Sequence, residues 1–425
     1  MRRLQVLHVI GGGDTGGAMT HLLPLLSALE RADCDPYLLC LGEGGLAQEA
    51  SRRGLSVSVL SMVNAWDPSV LIPLRRLLVR GPAGLEALRA GGIAGPAPRA
   101  IGWDVVHTHG MRANLPVRLA VRGRRHRPCV FTTVHSDLQF DYASPHLARF
   151  YRGLDRATLS SVDTIICVSE ALRSLLVERG YPAERVTTVH SGIESPQGGA
   201  PLPAASMEPA SASESVVAPG HASGPVIADS PERRTRPRVG TVARLARVKD
   251  IDLLLEVAAL LRRTIPEVEA VVVGDGPEWA RLQTQVETRG LDGVVRFAGR
   301  LADASSVLAE MDVYLVTSVF EGGVSMSVLE AMAAGIPVVT TAAGGVAEAV
   351  KDGETGFVVT RDQERGALAA ALAARAAALL ADAELRARMG AAGARRVREL
   401  FLVERTAAAT LRAYRRCLAA RGDLT

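Results

Sequence analysis

The sequence predicts an α/β protein made of two doubly wound domains. Short apolar runs alternate with amphipathic segments of helix length along most of the chain, which is the pattern of right-handed βαβ units. A stretch poor in core-forming residues interrupts the alternation near the middle, and the same alternation then restarts. The length of 425 residues is sufficient for two such domains.

In the first half, six apolar runs are predicted as buried strands of a parallel sheet. They are Leu4–Ile10, Tyr37–Leu41, Val57–Leu60, Val105–His109, Val130–Val134 and Thr164–Val168. The segments Met19–Arg31 and Glu170–Arg179 have the periodicity of amphipathic helices. The first half is therefore predicted to be one doubly wound sheet.

The interruption is a predicted linker. Residues 195–237 hold 8 of the 22 prolines, 7 serines and 8 alanines, and no Phe, Tyr or Trp. Such a composition buries too little apolar surface to order itself, so we expect a flexible segment. It separates an N-terminal domain, residues 1–194, from a second domain, residues 238–402. Residues 403–425 are predicted as a C-terminal helix that can cross back to the first domain.

The second domain repeats the alternation, which makes the two halves Rossmann-like. Its predicted strands are Val239–Val242, Ala270–Val273, Val294–Phe297, Val313–Val316, Val338–Thr340 and Phe357–Val359. The alanine-rich run Leu368–Ala381 is interrupted by Arg375, which favours a helix over a membrane span. Ligands of such sheets bind at the carboxyl ends of the strands.

Charge and cysteine content exclude two classes of function. Lys and Arg number 49 against 45 for Asp and Glu, a balance too even for a protein that grips nucleic acid. The five cysteines are scattered without a Cys-x-x-Cys pair, which argues against a disulfide framework or a zinc site. We therefore expect reduced thiols and a cytoplasmic protein.

A glycine cluster follows the first strand. Gly11, Gly13 and Gly16 have the spacing of a dinucleotide-binding fingerprint, and Glu43 follows the second strand, where an acid that binds ribose would lie. Glycines also admit any phosphate or sugar to a helix N-terminus. An NAD(P)-dependent oxidoreductase is thus one function that the sequence allows.

The second domain carries cations after its first strand. Arg244 offers a guanidinium fork and Lys249 an ammonium, and together they can hold a diphosphate. The alternative is a solvated charge run at a helix start. The segments Val273–Pro277 and Phe297–Arg300 are predicted as ordinary turns between strand and helix.

Two acids follow the strand at Val313–Val316. Glu321 lies in a loop with glycines, and Glu330 lies about one turn into the next helix. A loop carboxylate can accept hydrogen bonds from sugar hydroxyls, while N–H groups at the helix start can bind phosphate. Alternatively, Glu321 caps the helix and Glu330 is a solvated helix residue.

Eight segments, in order along nearly the whole chain, are similar to the motifs of retaining glycosyltransferase family 4. They are Gly16-Gly17, Asp104–His109, Thr133–Ser136, Val168–Glu170, Val189–Glu194, Val242–Lys249, Val273–Pro277 and Glu321–Gly335. The resemblance implies the GT-B architecture, in which two Rossmann-like domains face a cleft and are joined after the motif that ends at Glu194.

The resemblance further implies a hexosyltransferase. It would move a sugar from a nucleotide-diphosphate sugar, a UDP- or GDP-sugar, to a glycan or lipid-linked acceptor in bacterial polysaccharide or glycoconjugate biosynthesis. Arg244 and Lys249 would bind the diphosphate without a metal or other cofactor, Glu330 the ribose, and Glu321 the sugar hydroxyls. His135 would contact the sugar or stabilise charge on the reacting face.

The same resemblance assigns further residues. Those expected on the donor are Gly16, Gly17, Gly274, Gly276, Gly299, Arg300, Gly322, Gly323, Val324 and Ser325. His109 and Ser136 are expected on the acceptor side. Eight residues separate Glu321 from Glu330, one more than in the family pattern, so a non-catalytic transferase-like subunit is a third candidate.

Two histidines resemble half of a metal site. His107 and His109 lie two apart on a predicted strand and therefore point to the same side. The sequence places no third ligand beside them. We therefore predict no metal site and favour structural or acceptor-side hydrogen bonding for this pair.

Basic and apolar residues occur together in two N-terminal segments. One is Arg118–Arg127, and the other is Val70–Leu78 with Arg75, Arg76 and Arg80. This combination suits peripheral docking on an anionic membrane, at the inner face of the cytoplasmic membrane. Cations that complement a helix C-terminus explain the first segment equally well.

Overall fold

A computed structural model describes residues 2–12, 17–64, 67–89, 102–124, 127–141, 144–195, 236–301 and 304–423. The chain divides into two compact units. The first comprises Met1–Glu194, Gly322–Met326 and Leu400–Thr425, and the second Ser195–Glu321 and Ser327–Glu399. Most of the predicted linker lies outside the described residues.

The first unit contains a seven-stranded parallel sheet. Its strands are β1 (Leu4–Ile10), β2 (Cys34–Cys40), β3 (Ser56–Val59), β4 (Val105–His109), β5 (Cys129–Val134), β6 (Thr164–Cys167) and β7 (Val186–Thr188). The strand order is β3-β2-β1-β4-β5-β6-β7, so the winding direction reverses between β1 and β4. Such a switch point is where ligands bind in doubly wound sheets.

Helices cover both faces of this sheet. They are α1 (Gly17–Arg31), α2 (Gly45–Arg52), α3 (Leu71–Arg80), α4 (Pro82–Arg89), α5 (Met111–Val121), α6 (Leu138–Asp141), α7 (Pro145–Thr158) and α8 (Glu170–Glu178). Helix α8 shows why the sequence starts a helix there: the Ser169 hydroxyl accepts a hydrogen bond from the Leu172 N–H at 3.0 Å.

The second unit contains a six-stranded parallel sheet. Its strands are β8 (Arg238–Val242), β9 (Glu269–Val273), β10 (Val295–Gly299), β11 (Val313–Val316), β12 (Val338–Thr341) and β13 (Gly356–Val359), in the order β10-β9-β8-β11-β12-β13. The winding direction reverses between β8 and β11.

Seven helices of the second unit follow in chain order. They are α9 (Ile251–Thr264), α10 (Trp279–Thr288), α11 (Ser305–Leu308), α12 (Met326–Ala333), α13 (Val346–Ala349), α14 (Arg365–Ala381) and α15 (Ala383–Leu400). Leu254 and Leu261 of α9 share one buried core with Leu372 of α14 and with Val272 and Val313 of the sheet. The burial of this continuous apolar layer stabilises the unit.

No single helix among the described residues is long and apolar enough to span a membrane. The pair α14 and α15 meets the requirement by combined length and composition, with a bend of 104° between the two helices. In this structure α14 places Leu368, Leu372 and Leu379 in the core of the second unit.

The C-terminal helix α16 (Val403–Arg421) packs in the first unit. Ile193 anchors the chain before it, because its N–H donates to the Phe401 carbonyl at 2.9 Å and its carbonyl accepts from the Val403 N–H at 2.8 Å. A side chain at Gly192 would collide with the backbone of Leu402. The motif Val189–Glu194 therefore lets residues 400–425 approach closely.

The structure corrects the predicted basic surface in the first unit. Arg118 is buried and pairs with Asp155, with 2.7 Å between Nη1 and Oδ1. Arg80 is also buried, and Arg127 pairs with Asp163 at 2.7 Å. These cations are used inside the unit, because a buried charge requires a partner.

Candidate functional site

Hydrogen bonds join the loops after β8 and β11 in the second unit. The Val319 N–H donates to the Val248 carbonyl at 2.8 Å, and the Thr317 hydroxyl donates to the Lys249 carbonyl at 3.1 Å. Since β8 and β11 are neighbours in a parallel sheet, both loops leave the same edge. Lys249 and Glu321 thereby lie at the same edge of the sheet.

Lys249 and Glu321 form an ion pair there. Nζ of Lys249 lies 2.6 Å from Oε1 of Glu321, and the Ser318 hydroxyl donates to the same oxygen at 2.6 Å. The two side chains are only 21% and 11% exposed, so the pair is held in place and partly shielded from water. The ammonium has three donors, so the pair leaves Lys249 able to bind an anion.

Asp250, which the sequence reasoning missed, anchors this loop. It is buried, has a left-handed backbone with φ of 47°, and accepts from Arg361 at 2.8 Å and Arg365 at 3.0 Å. Arg361 also donates to the Thr317 carbonyl at 2.9 Å. The two arginines therefore connect the loops after β8 and β11 to the segment after β13. An acid directly before α9 was the available signal.

The side chains of Arg244 and Arg300 are exposed, and no described residue forms an ion pair or hydrogen bond with either guanidinium group. Gly299 precedes Arg300 at the end of β10, and its carbonyl accepts from the Gly274 N–H at 2.8 Å. A side chain at Gly276 would collide with the Leu245 backbone. The glycines therefore let the loops after β8, β9 and β10 pack side by side. The guanidinium groups of Arg244 and Arg300 lie at this edge of the sheet without a protein partner among the described residues.

The segment from Glu321 to Glu330 leads into α12. Ser327 ties the helix to the end of β8, because its hydroxyl donates to the Val242 carbonyl at 2.9 Å. Glu330 is half-buried on α12. The Gly345 N–H donates to the Glu321 carbonyl at 2.9 Å, which fixes the loop before the helix.

Gly322 and Gly323, with Val324 and Ser325, belong to the first unit. A side chain at Gly322 would collide with the His135 carbonyl, and one at Gly323 with the Val168 side chain. Val324 is buried, while Ser325 and Ser136 are half-buried. The glycine pair is therefore required for close backbone approach.

The predicted glycine fingerprint is described only in part. Gly13 and Gly16 lie outside the described residues, whereas Gly17 begins α1. Gly12 has φ of 71°, and a side chain there would collide with Gly42. The turn between β1 and α1 thus needs glycine to pack against the loop after β2, whichever ligand it serves.

A histidine cluster lies at the carboxyl ends of β1, β4 and β5 in the first unit. His8 Nδ1 is 3.1 Å from His109 Nε2, and His109 Nδ1 is 3.4 Å from His135 Nε2. His107 contacts the Tyr414 hydroxyl at 2.5 Å and the Thr133 hydroxyl at 2.7 Å. Helix α16 thus reaches the cluster through Tyr414.

The expectation that no third ligand lies beside His107 and His109 is wrong. Parallel pairing sets His8 beside His107, and one nitrogen of each of the three rings lies within 4.8 Å of the others. Both nitrogens of His107 already have hydroxyl partners. Hydroxyl partners therefore occupy both nitrogens of His107, and the expectation of no metal site stays a prediction.

Burial keeps this cluster uncharged. Desolvation lowers the pKa of His8 and of His21 to about 3 and that of His135 to about 4. The pKa values of His107 and His109 also lie well below the usual range, first through burial and then through repulsion by neighbouring histidines. At neutral pH the cluster presents neutral imidazoles, which can donate and accept hydrogen bonds.

Comparison with known proteins identifies both halves of the chain. Residues 15–195 match the family model described as Glycosyltransferase Family 4, and residues 226–396 match the one described as Glycosyl transferases group 1. The fold matches that of Anabaena Alr3699/HepE, crystallised in complex with UDP, over 96% of this chain and 99% of that protein. The TM-score is 0.70 and the sequence identity is 18%. The predicted resemblance and the GT-B type of α/β fold are confirmed.

Curated relatives match over shorter stretches. One is N-acetyl-alpha-D-glucosaminyl L-malate synthase of Bacillus anthracis, 29% identical over 163 residues, which are 38% of this chain and 41% of that protein. Another is the GDP-mannose-dependent alpha-(1-6)-phosphatidylinositol monomannoside mannosyltransferase of Mycolicibacterium smegmatis, 33% identical over 37% of this chain and 42% of that protein. The chain thus aligns with less than half the length of either relative, and the roles assigned to individual residues stay predictions.

The buried histidines predict acid sensitivity. Their folded pKa values lie below the unfolded value of about 6.5, so unfolding takes up protons and stability falls as pH decreases from about 6.5 towards 4. Each such histidine contributes about 1.4 kcal/mol per pH unit in that window. Urea unfolding at pH 6 and pH 5 measures the slope.

His8→Leu should flatten this slope by about one proton's contribution, roughly 1.4 kcal/mol per pH unit. The matched control is His146→Gln, because His146 is exposed and should leave the slope unchanged. Equal slopes in wild type and His8→Leu would show that His8 is not held neutral by burial.

Proposed function

The chain belongs to glycosyltransferase family 4, and we propose that it transfers a hexose from a nucleotide-diphosphate sugar with retention of the anomeric configuration. The donor is a UDP- or GDP-sugar, and the acceptor is a glycan or a lipid-linked molecule in polysaccharide or glycoconjugate biosynthesis. The observation that carries the proposal is the fastened loop pair of the second unit, with Lys249 held by Glu321 and Arg244 left free.

The donor diphosphate binds to Lys249 and Arg244. Transfer of the sugar leaves two phosphate charges behind, and cations on that leaving group lower the barrier. Arg244 has no competing partner among the described residues, so its guanidinium is available for a bidentate contact. Protein cations supply the charge that a divalent metal would otherwise supply, so the reaction needs no metal.

The sugar and the ribose bind to the two acids. Glu321 uses Oε1 for Lys249 and Ser318, and no described residue bonds to Oε2, which is left to accept from sugar hydroxyls. We assign the ribose to Glu330, which lies on α12. Arg300 and the glycines at 274, 276 and 299 line the same strand ends as Arg244.

His135 acts on the reacting face of the first unit, with His109 and Ser136 on the acceptor side. Desolvation lowers the pKa of this half-buried imidazole to about 4, so it contributes hydrogen bonds instead of a positive charge at neutral pH. In a retaining transfer the departing phosphate can itself accept the proton of the acceptor hydroxyl. No separate general base is then required.

A panel of UDP, GDP, ADP, their sugars, NAD and NADP tests the donor class by thermal shift with EDTA present. One nucleoside diphosphate should stabilise the protein, by about 2.7 kcal/mol at a hundredfold excess over Kd. Arg244→Ala should weaken that ligand roughly tenfold to a hundredfold, because it removes a charge-assisted hydrogen bond.

The matched control for this panel is Arg263→Ala, an exposed arginine on α9 whose loss should not change ligand binding. Stabilisation by NAD or NADP alone would contradict the transferase and support an oxidoreductase. Binding by Arg244→Ala with unchanged affinity would remove Arg244 from the donor site.

We further propose a cytoplasmic location with peripheral contact to an anionic membrane, through α3 and α7. Both helices pack against α5. Ile72 of α3 and Phe150 of α7 are 61% and 53% exposed, and Arg75, Arg76 and Arg149 are exposed beside them. Exposed apolar groups among arginines suit the boundary between lipid headgroups and acyl chains.

Neither α3 nor α7 exposes an acidic residue that would oppose this contact. Helix α3 contains no Asp or Glu, and Asp155, the one acid of α7, is buried against Arg118. The five cysteines are free and four of them are buried, which supports a reducing compartment.

Sedimentation with vesicles of phosphatidylglycerol and phosphatidylcholine tests the surface. The double change Arg75→Glu and Arg76→Glu should weaken binding at least about tenfold, since each cation near an anionic surface contributes about 1 kcal/mol. Phe150→Ser should also weaken binding, through lost apolar burial.

The control for this experiment is Arg395→Glu with Arg398→Glu on α15, which changes the net charge equally and should leave binding intact. Equal losses in both double variants would indicate non-specific attraction and contradict the α3–α7 surface.

A further inference from the structure

Five of the nine histidines lie together in the first unit, in an arrangement that the strand pairing produces. His8 on β1 is paired with His107 on β4, and His109 is paired with Thr133 on β5. Alternation along each strand puts these side chains on one face of the sheet. His135 follows β5 and His21 lies in α1, with 5.1 Å between the centroids of their rings.

Three of these rings form a hydrogen-bonded series. His8 Nδ1 contacts His109 Nε2 at 3.1 Å, and His109 Nδ1 contacts His135 Nε2 at 3.4 Å. A neutral imidazole carries one proton, so each ring can donate through one nitrogen only and must accept through the other. Once the donor of the first hydrogen bond is known, the position of the proton on each of the three rings follows.

The far nitrogen of His8 decides that direction. His8 Nε2 is buried and has no hydrogen-bond partner among the described residues. A proton on Nε2 would leave a buried N–H unpaired, and such orphaned donors are rarer in folded proteins than under-satisfied acceptors. The proton of His8 therefore lies on Nδ1, which donates to His109.

The remaining protons follow from this step. His109 accepts through Nε2, so its own proton lies on Nδ1, which donates to His135 Nε2. His135 then accepts through Nε2 and carries its proton on Nδ1. No described residue bonds to this Nδ1, and His135 is only half-buried, so the N–H is available to a ligand.

We propose that His8 and His109 are positioning residues that fix the tautomer of His135, so that His135 meets the substrates as a hydrogen-bond donor through Nδ1. The role at the substrates rests on the transfer reaction proposed above, whereas the tautomer itself does not. A donor at this position binds a sugar or phosphate oxygen. It does not remove the proton of the acceptor hydroxyl, because the accepting nitrogen is already engaged with His109.

Long-range ¹H–¹⁵N correlation of histidine-labelled protein at pH 7 tests the tautomer without any substrate. His135, assigned by loss of its signals in His135→Gln, should show its proton on Nδ1, and His8 and His109 should show the same. A proton on His135 Nε2 in the wild type would overturn the inference, whatever the activity of the protein.

Two variants of His8 test the positioning role. His8→Asn keeps an N–H donor near the place of Nδ1 and should preserve the tautomer of His135, whereas His8→Leu removes the donor and should give a mixture of tautomers. An unchanged tautomer in folded His8→Leu would show that His8 does not set it. If His8→Leu does not fold, the tautomer of His135 is tested by the wild-type spectrum and the positioning role by His8→Asn, in which a changed tautomer would contradict it.

The substrate role is tested separately by amides that mimic one nitrogen each. His135→Asn places its N–H near Nδ1 and should retain kcat/KM within about threefold, while His135→Gln mimics Nε2 and should lose roughly tenfold. Equal loss in both variants would contradict donation through Nδ1. A protein without transferase activity but with the expected tautomers would contradict only the proposed function.

Discussion

The parallel direction of every strand in both sheets determines where this protein can place reactive side chains. Carboxyl ends of parallel strands share one edge, so residues distant in sequence arrive together wherever two strands are neighbours. In the second unit this joins Lys249 to Glu321, which are 72 residues apart. In the first unit it joins His8 to His109, which are 101 residues apart. The carboxyl ends of the strands therefore carry charged groups in the second unit and neutral imidazoles in the first unit.

Charged residues in the second unit and neutral histidines in the first suit a reaction with a charged leaving group. Cations at the strand ends of the second unit are stabilised by acids that also hold their loops, as Asp250 does through Arg361 and Arg365. The histidines of the first unit are kept neutral because burial penalises their charged forms. In the proposed transfer, charge is thus bound on the diphosphate side, whereas the side of His135 provides directional hydrogen bonds.

Much of the fold follows from the sequence, because apolar runs that are buried on both faces are easy to recognise. All twelve predicted strands occur with small shifts at their ends, whereas β7 (Val186–Thr188) was missed, since three residues carry too little pattern. The paired roles were harder to predict. The sequence predicts that Lys249 and Glu321 lie at strand ends, but it does not predict the strand order that brings them together. His8 has no local motif, since its partners lie on β4 and beyond β5. Arg118 was wrongly placed on the surface because its partner Asp155 is on another helix.

In the proposed transfer, cations of the second unit recognise the diphosphate of a nucleotide sugar. Titration calorimetry with EDTA present, comparing UDP with UMP and GDP with GMP, tests it most directly. We expect one diphosphate to bind at least about tenfold more tightly than its monophosphate, because the additional phosphate gains charge-assisted hydrogen bonds. Equal affinity for the two, or binding of the diphosphate only after Mg²⁺ is added, would contradict recognition of the diphosphate by these cations.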